Sequence, residues 1–300
     1  MSPRKTAREA PPLRAAVGAW EEAPIAPAGV DTEKPSAARV YDWYLGGTHH
    51  WAVDREFGRR VEKLWPLIRP ISRQNRAFMN RVVSAAMDAG IRQFVDLGSG
   101  VPTAGNVHEI VRERLPAGER ASVVYVDYEP VAAAHSRLIL EREGASSWAG
   151  LVERDIRRPE EIFTDDLTRE LIDWSRPVCL LMITVMHFIG PSDEPDELMA
   201  TYRSRLAPGS WLALTHGTCR DDAPPDRAAE VRRFIEAYQD TSNPAWLRSA
   251  EELLPWFGGW PLLPPGMTSL PDWRPETPPT PIDTETRPFA WCAVARRPGL

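Results

Sequence analysis

Three hundred residues, 43% hydrophobic and 26% charged, allow one large or two modest domains with a proper core, and the formal net charge of −6 argues against nucleic acid as the main partner. The three cysteines, Cys179, Cys219 and Cys292, lack C-x-x-C spacing and offer neither a zinc site nor a disulfide framework, as suits a reducing cytosol. Val178 to Ile189 is the best apolar run, but it holds Thr184 and His187 and falls short of the roughly 20 residues a bilayer requires; with no apolar signal core at the N-terminus, a cytoplasmic protein is expected.

Residues 1–34 carry Pro, Ala and charge without periodicity and read as a disordered leader. Ser36 is placed to cap a helix with Ala37, Val40, Tyr41, Tyr44 and Leu45 on its apolar face and Gly46-Gly47 at its end. A second helix is expected over 54–64. A third, over 71–88, is marked by Ile71, Asn75, Phe78, Met79, Val82, Val83 and Ala86 at helical spacing. Residues 35–89 thus form a helical cap or lid that precedes the first strand.

From 91 onward strands and helices alternate. Strands are expected at 91–97, 122–127, 150–154, 177–183 and 210–216; helices at 103–115, from Pro130, near 160–174 and near 194–206. Five βα units in a row predict an α/β fold with a doubly wound parallel sheet. Helical patterns at 225–240 and 249–256 follow, the second opened by a capping-box pair, Ser249 and Glu252. Prolines crowd the 264–288 loop, flanked by possible strands at 260–263 and 289–296 that would form an antiparallel hairpin at the sheet edge. Residues 90–300 are read as one cofactor-binding domain.

The stretch with most chemical content is Val95-Asp96-Leu97-Gly98-Ser99-Gly100, a strand running into a glycine turn. A dinucleotide fingerprint would place a third glycine at 103, where Thr103 stands; this disfavours NAD and suits a cofactor without pyrophosphate, such as S-adenosylmethionine (SAM). An ordinary tight βα turn is the plain alternative. Asp127, at the end of the second strand, is placed to accept hydrogen bonds from ribose hydroxyls, with Glu129 as the fallback acid. Asp155, after the third strand, is placed to meet an adenine amine, and Asp96 to orient the turn or meet an ammonium group. His187 follows the fourth strand beside the switch point and could take a proton from an oxygen or nitrogen nucleophile, or merely shape the wall. His216 is a weaker candidate. No histidine spacing suggests a metal. Tyr44, His49 and Trp51 are the candidate acceptor-facing residues of the lid.

Together these stretches resemble the class I SAM-dependent methyltransferases: Val95 to Gly100 looks like their first motif, Val124-Tyr125-Val126-Asp127 like their acidic second-strand motif, and Met186-His187-Phe188-Ile189 is similar to the segment after strand 4 of small-molecule members. More narrowly, the chain resembles an actinobacterial methyltransferase family long listed as a domain of unknown function. Pro35 to Asp42, Leu45-Gly46-Gly47, Asp54-Arg55-Glu56, Asn75-Arg76-Ala77-Phe78, Gly90 to Phe94 and Pro102 to Glu109 carry that likeness, which covers about 35–297. The resemblance implies a seven-stranded, mostly parallel Rossmann-like sheet with strand 7 antiparallel. It also implies SAM at Gly98, Ser99, Gly100, Asp127, Tyr128 and Asp155; Asp96, Ile156 and Thr184 complete the candidate cofactor-binding residues. His49-His50 departs from the charged or amide pair that members often carry. The activity so implied is methyl transfer to an oxygen or nitrogen of a small molecule; a SAM-binding regulator without turnover and a nicotinamide oxidoreductase are the rivals. The acceptor and the oligomeric state are not legible.

Overall fold

The computed structural model describes residues 31–101, 105–239, 241 and 243–299. Residues 1–30 of the expected leader, and Pro102, Thr103 and Ala104 at the expected start of a helix, lie outside the described residues. Three helices come first: α1 (Ala37–Leu45), α2 (Ala52–Leu64) and α3 (Ile68–Asp88). Then follow β1 (Gln93–Leu97), α4 (Val107–Arg114), β2 (Ser122–Asp127), α5 (Pro130–Arg142), β3 (Ala149–Glu153), α6 (Pro159–Phe163) and α7 (Asp166–Leu171). The second half holds β4 (Cys179–Met182), α8 (Pro195–Arg205), β5 (Trp211–Gly217), α9 (Pro225–Gln239), α10 (Ala250–Leu253), β6 (Thr268–Ser269), α11 (Pro281–Thr286) and β7 (Ala290–Arg296).

The seven strands form one sheet in the order β3-β2-β1-β4-β5-β7-β6. The first five are parallel, and β7 runs antiparallel to β5 over seven paired residues, Trp211 opposite Arg296 to Gly217 opposite Ala290. The chain therefore winds outward from β1 through β2 to β3, then returns to β4 on the other side of β1. That reversal opens a crevice beyond the carboxyl ends of β1 and β4, where ligands bind in open α/β sheets. Strands β1 and β4 are buried along their whole length, as strands covered on both faces must be. Val95, Leu97, Val124, Leu180 and Leu212 pack toward one face, and Phe94, Val123, Cys179, Leu181 and Ala213 toward the other.

The second of those faces also takes up the leading helices. Phe78, Val82, Val83 and Ala86 of α3 share one buried cluster with Phe94 and Trp211 of the sheet, and Val40, Tyr44, Phe57 and Val61 of α1 and α2 join the same cluster. Gly46, at φ +83°, ends α1 in the left-handed conformation, and its N–H bonds back to Trp43 O at 3.1 Å. Ser36 starts the helix without the expected side-chain cap; its backbone N–H donates instead to Asp54 Oδ1 at 3.1 Å. Helix α2 begins two residues earlier than expected, because Asp54 reaches back to accept the Trp51 N–H at 2.8 Å.

Two further expectations are corrected. The single helix near 160–174 is two short ones, because Asp165 accepts the Leu167 N–H at 3.1 Å and starts α7 afresh. The terminal pair is not a hairpin of 260–263 with 289–296. Pro261, Pro264 and Pro265 remove the N–H groups a ladder needs there, so the segment contributes one isolated bridge, Leu262 opposite Ala295. The short β6 pairs with β7 instead, and β7 lies inside the sheet between β5 and β6. Among the described residues no helix is long and apolar enough to cross a membrane.

Candidate active site

A cavity of about 400 Å³ opens at the crevice. Its floor is the glycine turn after β1. Gly98 and Gly100 hold φ +68° and +67°, and Gly98 N donates to Val126 O of β2 at 2.8 Å. The two glycines serve different ends. A Cβ on Gly98 would lie 2.2 Å from a methyl of Val185, so the turn must pass close to the segment after β4; a Cβ on Gly100 would meet nothing within 4 Å and would point into open space.

Asp127 stands beside that turn. Its Oδ2 accepts the Gly100 N–H at 2.7 Å and its Oδ1 the Glu129 N–H at 2.9 Å, so the carboxylate ties the end of β2 to the glycine bend while keeping lone pairs for a ligand. Burial pushes its carboxyl up to about 6, against the backbone hydrogen bonds that favour the anion. Asp96 is buried in the same cavity, where burial pushes it up to about 7 although Arg76 pulls the other way. Two raised acids facing one cavity suit a cationic ligand that would draw them back to the anion.

The remaining expected residues distribute as follows. Ser99, Tyr128, Asp155, Ile156, Thr184 and His187 all line the cavity with the residues above. Asp155 is forked by Arg157, whose Nη2 lies 2.6 Å from Oδ2. Burial would raise its carboxyl, but those hydrogen bonds outweigh it and hold it below the usual range. Thr184 has φ +60°, rare for a β-branched residue, and its N–H donates to Thr215 Oγ1 at 2.8 Å; such strain persists where a site over-determines it. Of the three lid candidates, Tyr44 lines the cavity. His49 does not: its ring packs on His135 at 3.9 Å between centroids, along a separate groove beside Gly46 and Gly47. Nor does Trp51, which is buried against Val101, Val131 and Ala132 with the Arg39 guanidinium 5.2 Å from its ring centre.

His187 sits in a short 3-10 turn, Met186–Phe188, directly after β4. Its Nδ1 is buried without a hydrogen-bond partner. Burial, with Arg248 nearby, pushes the imidazole down to about 4, so it is neutral at pH 7 and a weaker base than a free imidazole. The turn is held by Arg248, which donates to Met186 O at 3.3 Å and Ile189 O at 2.7 Å. The same guanidinium lies 3.0 Å from His216 Nε2, while His216 Nδ1 is 2.8 Å from Gly217 O. A guanidinium only donates, so His216 is the neutral tautomer with its proton on Nδ1.

Sequence reasoning placed Tyr44 of the lid but missed Tyr41 and the part played by α3. Tyr41, Ser72, Asn75, Arg76 and Met79 all face the cavity. The available signal was Asn75-Arg76, a polar pair inside an otherwise apolar helical pattern. A second omission is Arg39, buried between Asp54 Oδ2 at 2.8 Å and Glu129 Oε1 at 2.9 Å. Glu129 in turn caps α5 through the N–H groups of Val131 and Ala132, so the leading helices are latched to the end of β2. Outside the cavity, His108, Glu109 and Glu143 bring donor atoms within 4.8 Å of one another. Their oxygens are already engaged, Glu109 by Gly105 N and Asn106 Nδ2, Glu143 by Arg112.

Whether these residues fit SAM is answered by atoms that protein alone leaves unpaired. Ser99 Oγ, Asn75 Oδ1 and His187 Nδ1 are buried without partners, and all three residues line this one cavity. The set further offers acids for an ammonium and a ribose, and a cation, Arg76, for a carboxylate. A doubly wound sheet with β7 antiparallel, carrying a glycine turn and an acid at the end of β2, defines the class I SAM-dependent methyltransferases.

Within that class, the chain belongs to the S-adenosyl methyltransferase family, whose profile matches residues 24–298. It is an enzyme of that family, with S-adenosylmethionine as methyl donor. It is similar to a candidate methyltransferase from Thermobifida fusca, with 31% identity and a TM-score of 0.80 over 91% of this chain and 98% of that one. A DUF574 family protein from Streptomyces avermitilis is 33% identical, with a TM-score of 0.80 over 89% of this chain and 99% of that one. No curated protein matches the chain.

Proposed function

We propose that the enzyme moves the methyl group of SAM to an oxygen or nitrogen of a small-molecule acceptor. The observation that carries this reading is the continuity of the cavity. One space is lined both by Gly98, Gly100 and Asp127 and by Tyr44, Phe234 and Tyr238, with His187 on its wall. When bound, SAM supplies an electrophilic methyl carbon on a positively charged sulfur. The roles proposed for the chain are then holding and excluding. Asp127 takes the ribose hydroxyls; Asp96 takes the ammonium; Tyr128, Asp155 and Ile156 surround the adenine; Ser99 and Thr184 shape the floor. The apolar wall keeps water out, and in-line methyl transfer depends chiefly on such positioning. His187, neutral and lacking a partner at Nδ1 but made a weak base by its burial, takes the acceptor's proton as the attacking atom becomes positive on bonding the methyl carbon.

The test is release of S-adenosylhomocysteine (SAH) from SAM in the presence of small hydroxy and amino compounds, with His187→Gln as control. The expected outcome is turnover with a member of the panel and a rate about 10²-fold lower in the variant, a typical contribution of proton transfer, at unchanged SAM affinity. An unchanged rate in His187→Gln removes the histidine from the chemistry.

A further inference from the structure

The chemistry of the cavity wall restricts the acceptor. Resting on the donor site above, we propose that the acceptor is an uncharged hydroxyaromatic compound, bound in the part of the cavity away from the glycine turn.

The charged side chains that line the cavity all gather at the donor end. Arg76 acts on Asp96, and Asp127 and Glu129 follow one another after β2. Arg157 joins Asp155 at 2.6 Å and Asp193 at 3.8 Å. The other wall carries rings in sequence. His187 and Phe188 have centroids 4.2 Å apart, Phe188 and Tyr238 6.1 Å, Tyr238 and Phe234 4.8 Å, and Phe234 and Trp65 4.7 Å, with Phe289 a further 5.8 Å from Trp65. The spacings from Phe188 onward, 4.7 to 6.1 Å, are those of offset and edge-to-face aromatic pairs, and the run offers a planar guest ring faces and edges starting from His187 itself.

The polar groups on this wall are neutral. Tyr44 and Tyr238 place their hydroxyl oxygens 3.4 Å apart, and burial pushes Tyr238 up to about 12 and Tyr44 well above its ordinary value. One hydroxyl donates to the other, which leaves a single O–H for a neutral oxygen of a guest. His216 keeps its proton turned to Gly217 and is held neutral by burial. Arg248, the cation behind His216, does not line the cavity and turns its donors to Met186 O, Ile189 O and His216 Nε2, so a carboxylate or phosphate guest would lose its hydration without direct contact with a cation, and a protonated amine without contact with a carboxylate. A phenolic hydroxyl enters uncharged. In transfer to such an acceptor the oxygen forms its bond to the methyl carbon, the carbon–sulfur electron pair stays on sulfur, and the hydroxyl proton passes to His187 and on to solvent.

The experiment is calorimetric titration of the full chain, with and without saturating SAH, using three probes of one shape: 2-naphthol, 2-naphthoate and 2-naphthylmethylammonium. The expected result is that naphthol binds at least about tenfold tighter than either ion, as the desolvation of an unpaired charge requires. Phe234→Ala, at a half-buried position, should weaken naphthol about tenfold while leaving SAH affinity unchanged. Ile235→Glu, which adds a carboxylate to this wall, should reverse the order in favour of the ammonium probe. Ions binding as tightly as naphthol, no binding of naphthol, or naphthol affinity unmoved by Phe234→Ala would each overturn the proposal. Should SAH give no heat while naphthol keeps its preference, the donor site is misassigned and the acceptor class stands.

Discussion

Replacing Arg39 by Met should be among the most damaging single changes outside the sheet. The guanidinium is buried and binds Asp54 at 2.8 Å, Glu129 at 2.9 Å and the carbonyls of Asp31 and Lys34 at 3.1 and 2.6 Å. Methionine preserves much of the stem volume but strands two carboxylates. Among the described residues, Asp54 then keeps the N–H groups of Ser36 and Trp51, and Glu129 those of Val131 and Ala132. Removing one partner of a buried ion pair costs about 3–5 kcal/mol, a large share of a total stability of about 5–15 kcal/mol. Urea denaturation followed by far-ultraviolet circular dichroism measures the loss directly. The double variant Arg39→Met/Asp54→Asn should lose less than the sum of its parts, because the second change removes a charge that the first leaves alone. SAH affinity should fall as well, since Glu129 both caps α5 and lines the cavity. A loss below about 1 kcal/mol, the range of an exposed pair, would refute the view that Arg39 latches the leading helices to the donor site.

Other consequences concern protons and glycines. Asp127 and Asp96 have folded-state values raised to about 6 and about 7, so the ligand-free protein should lose stability as pH rises from about 4 to about 7, where the unfolded chain ionises first. A bound cation favours both anions, so SAM should bind with proton release. Its affinity should then fall by up to about tenfold per pH unit per proton between pH 7 and pH 5; calorimetry in buffers of different ionisation enthalpy would detect this, and equal heats in all buffers would contradict it. His187, held at about 4 by burial, should show neutral imidazole shifts by NMR throughout pH 5–8, whereas titration near 6.5 would contradict the buried geometry. Gly98→Ala should cost more stability than Gly100→Ala, because the first Cβ meets Val185 at 2.2 Å and the second meets nothing within 4 Å. Val185→Ala should restore part of the Gly98→Ala loss, and no recovery would show that the strained φ alone is responsible.

Much of this architecture is written in local pattern. The strand over 122–127, the helix from Pro130 and the stop of α1 at Gly46 follow from periodicity, proline placement and the left-handed freedom of glycine, all of which act within a few residues. The terminal strands were harder, because the pairing of Thr268 and Ser269 with β7 depends on where prolines forbid a ladder elsewhere in the same loop. At the site, Asp127 beside Gly100 was legible, since a parallel sheet puts successive strand ends together. Arg39 with Glu129, Arg248 with His216 and Asn243 with Tyr128 were not; their partners are 90, 32 and 115 residues apart, and no pattern in sequence marks a contact made only by the folded chain. Tyr44 and His49 read alike as lid residues, yet Tyr44 turns toward α9 and His49 toward His135 of α5.

The central claim is that Asp127 and the glycine turn grip the methyl donor. Calorimetric titration of SAM into the wild-type chain and into Asp127→Asn tests it most directly, because asparagine preserves shape while removing the charge and turning an NH2 toward one of the two backbone N–H groups, of Gly100 or Glu129, that the carboxylate accepts. One molecule of SAM should bind per wild-type chain, and the variant, still folded by circular dichroism, should bind about 10- to 100-fold more weakly, the span of a lost hydrogen bond to a charged group. Equal affinity in both proteins would contradict the account.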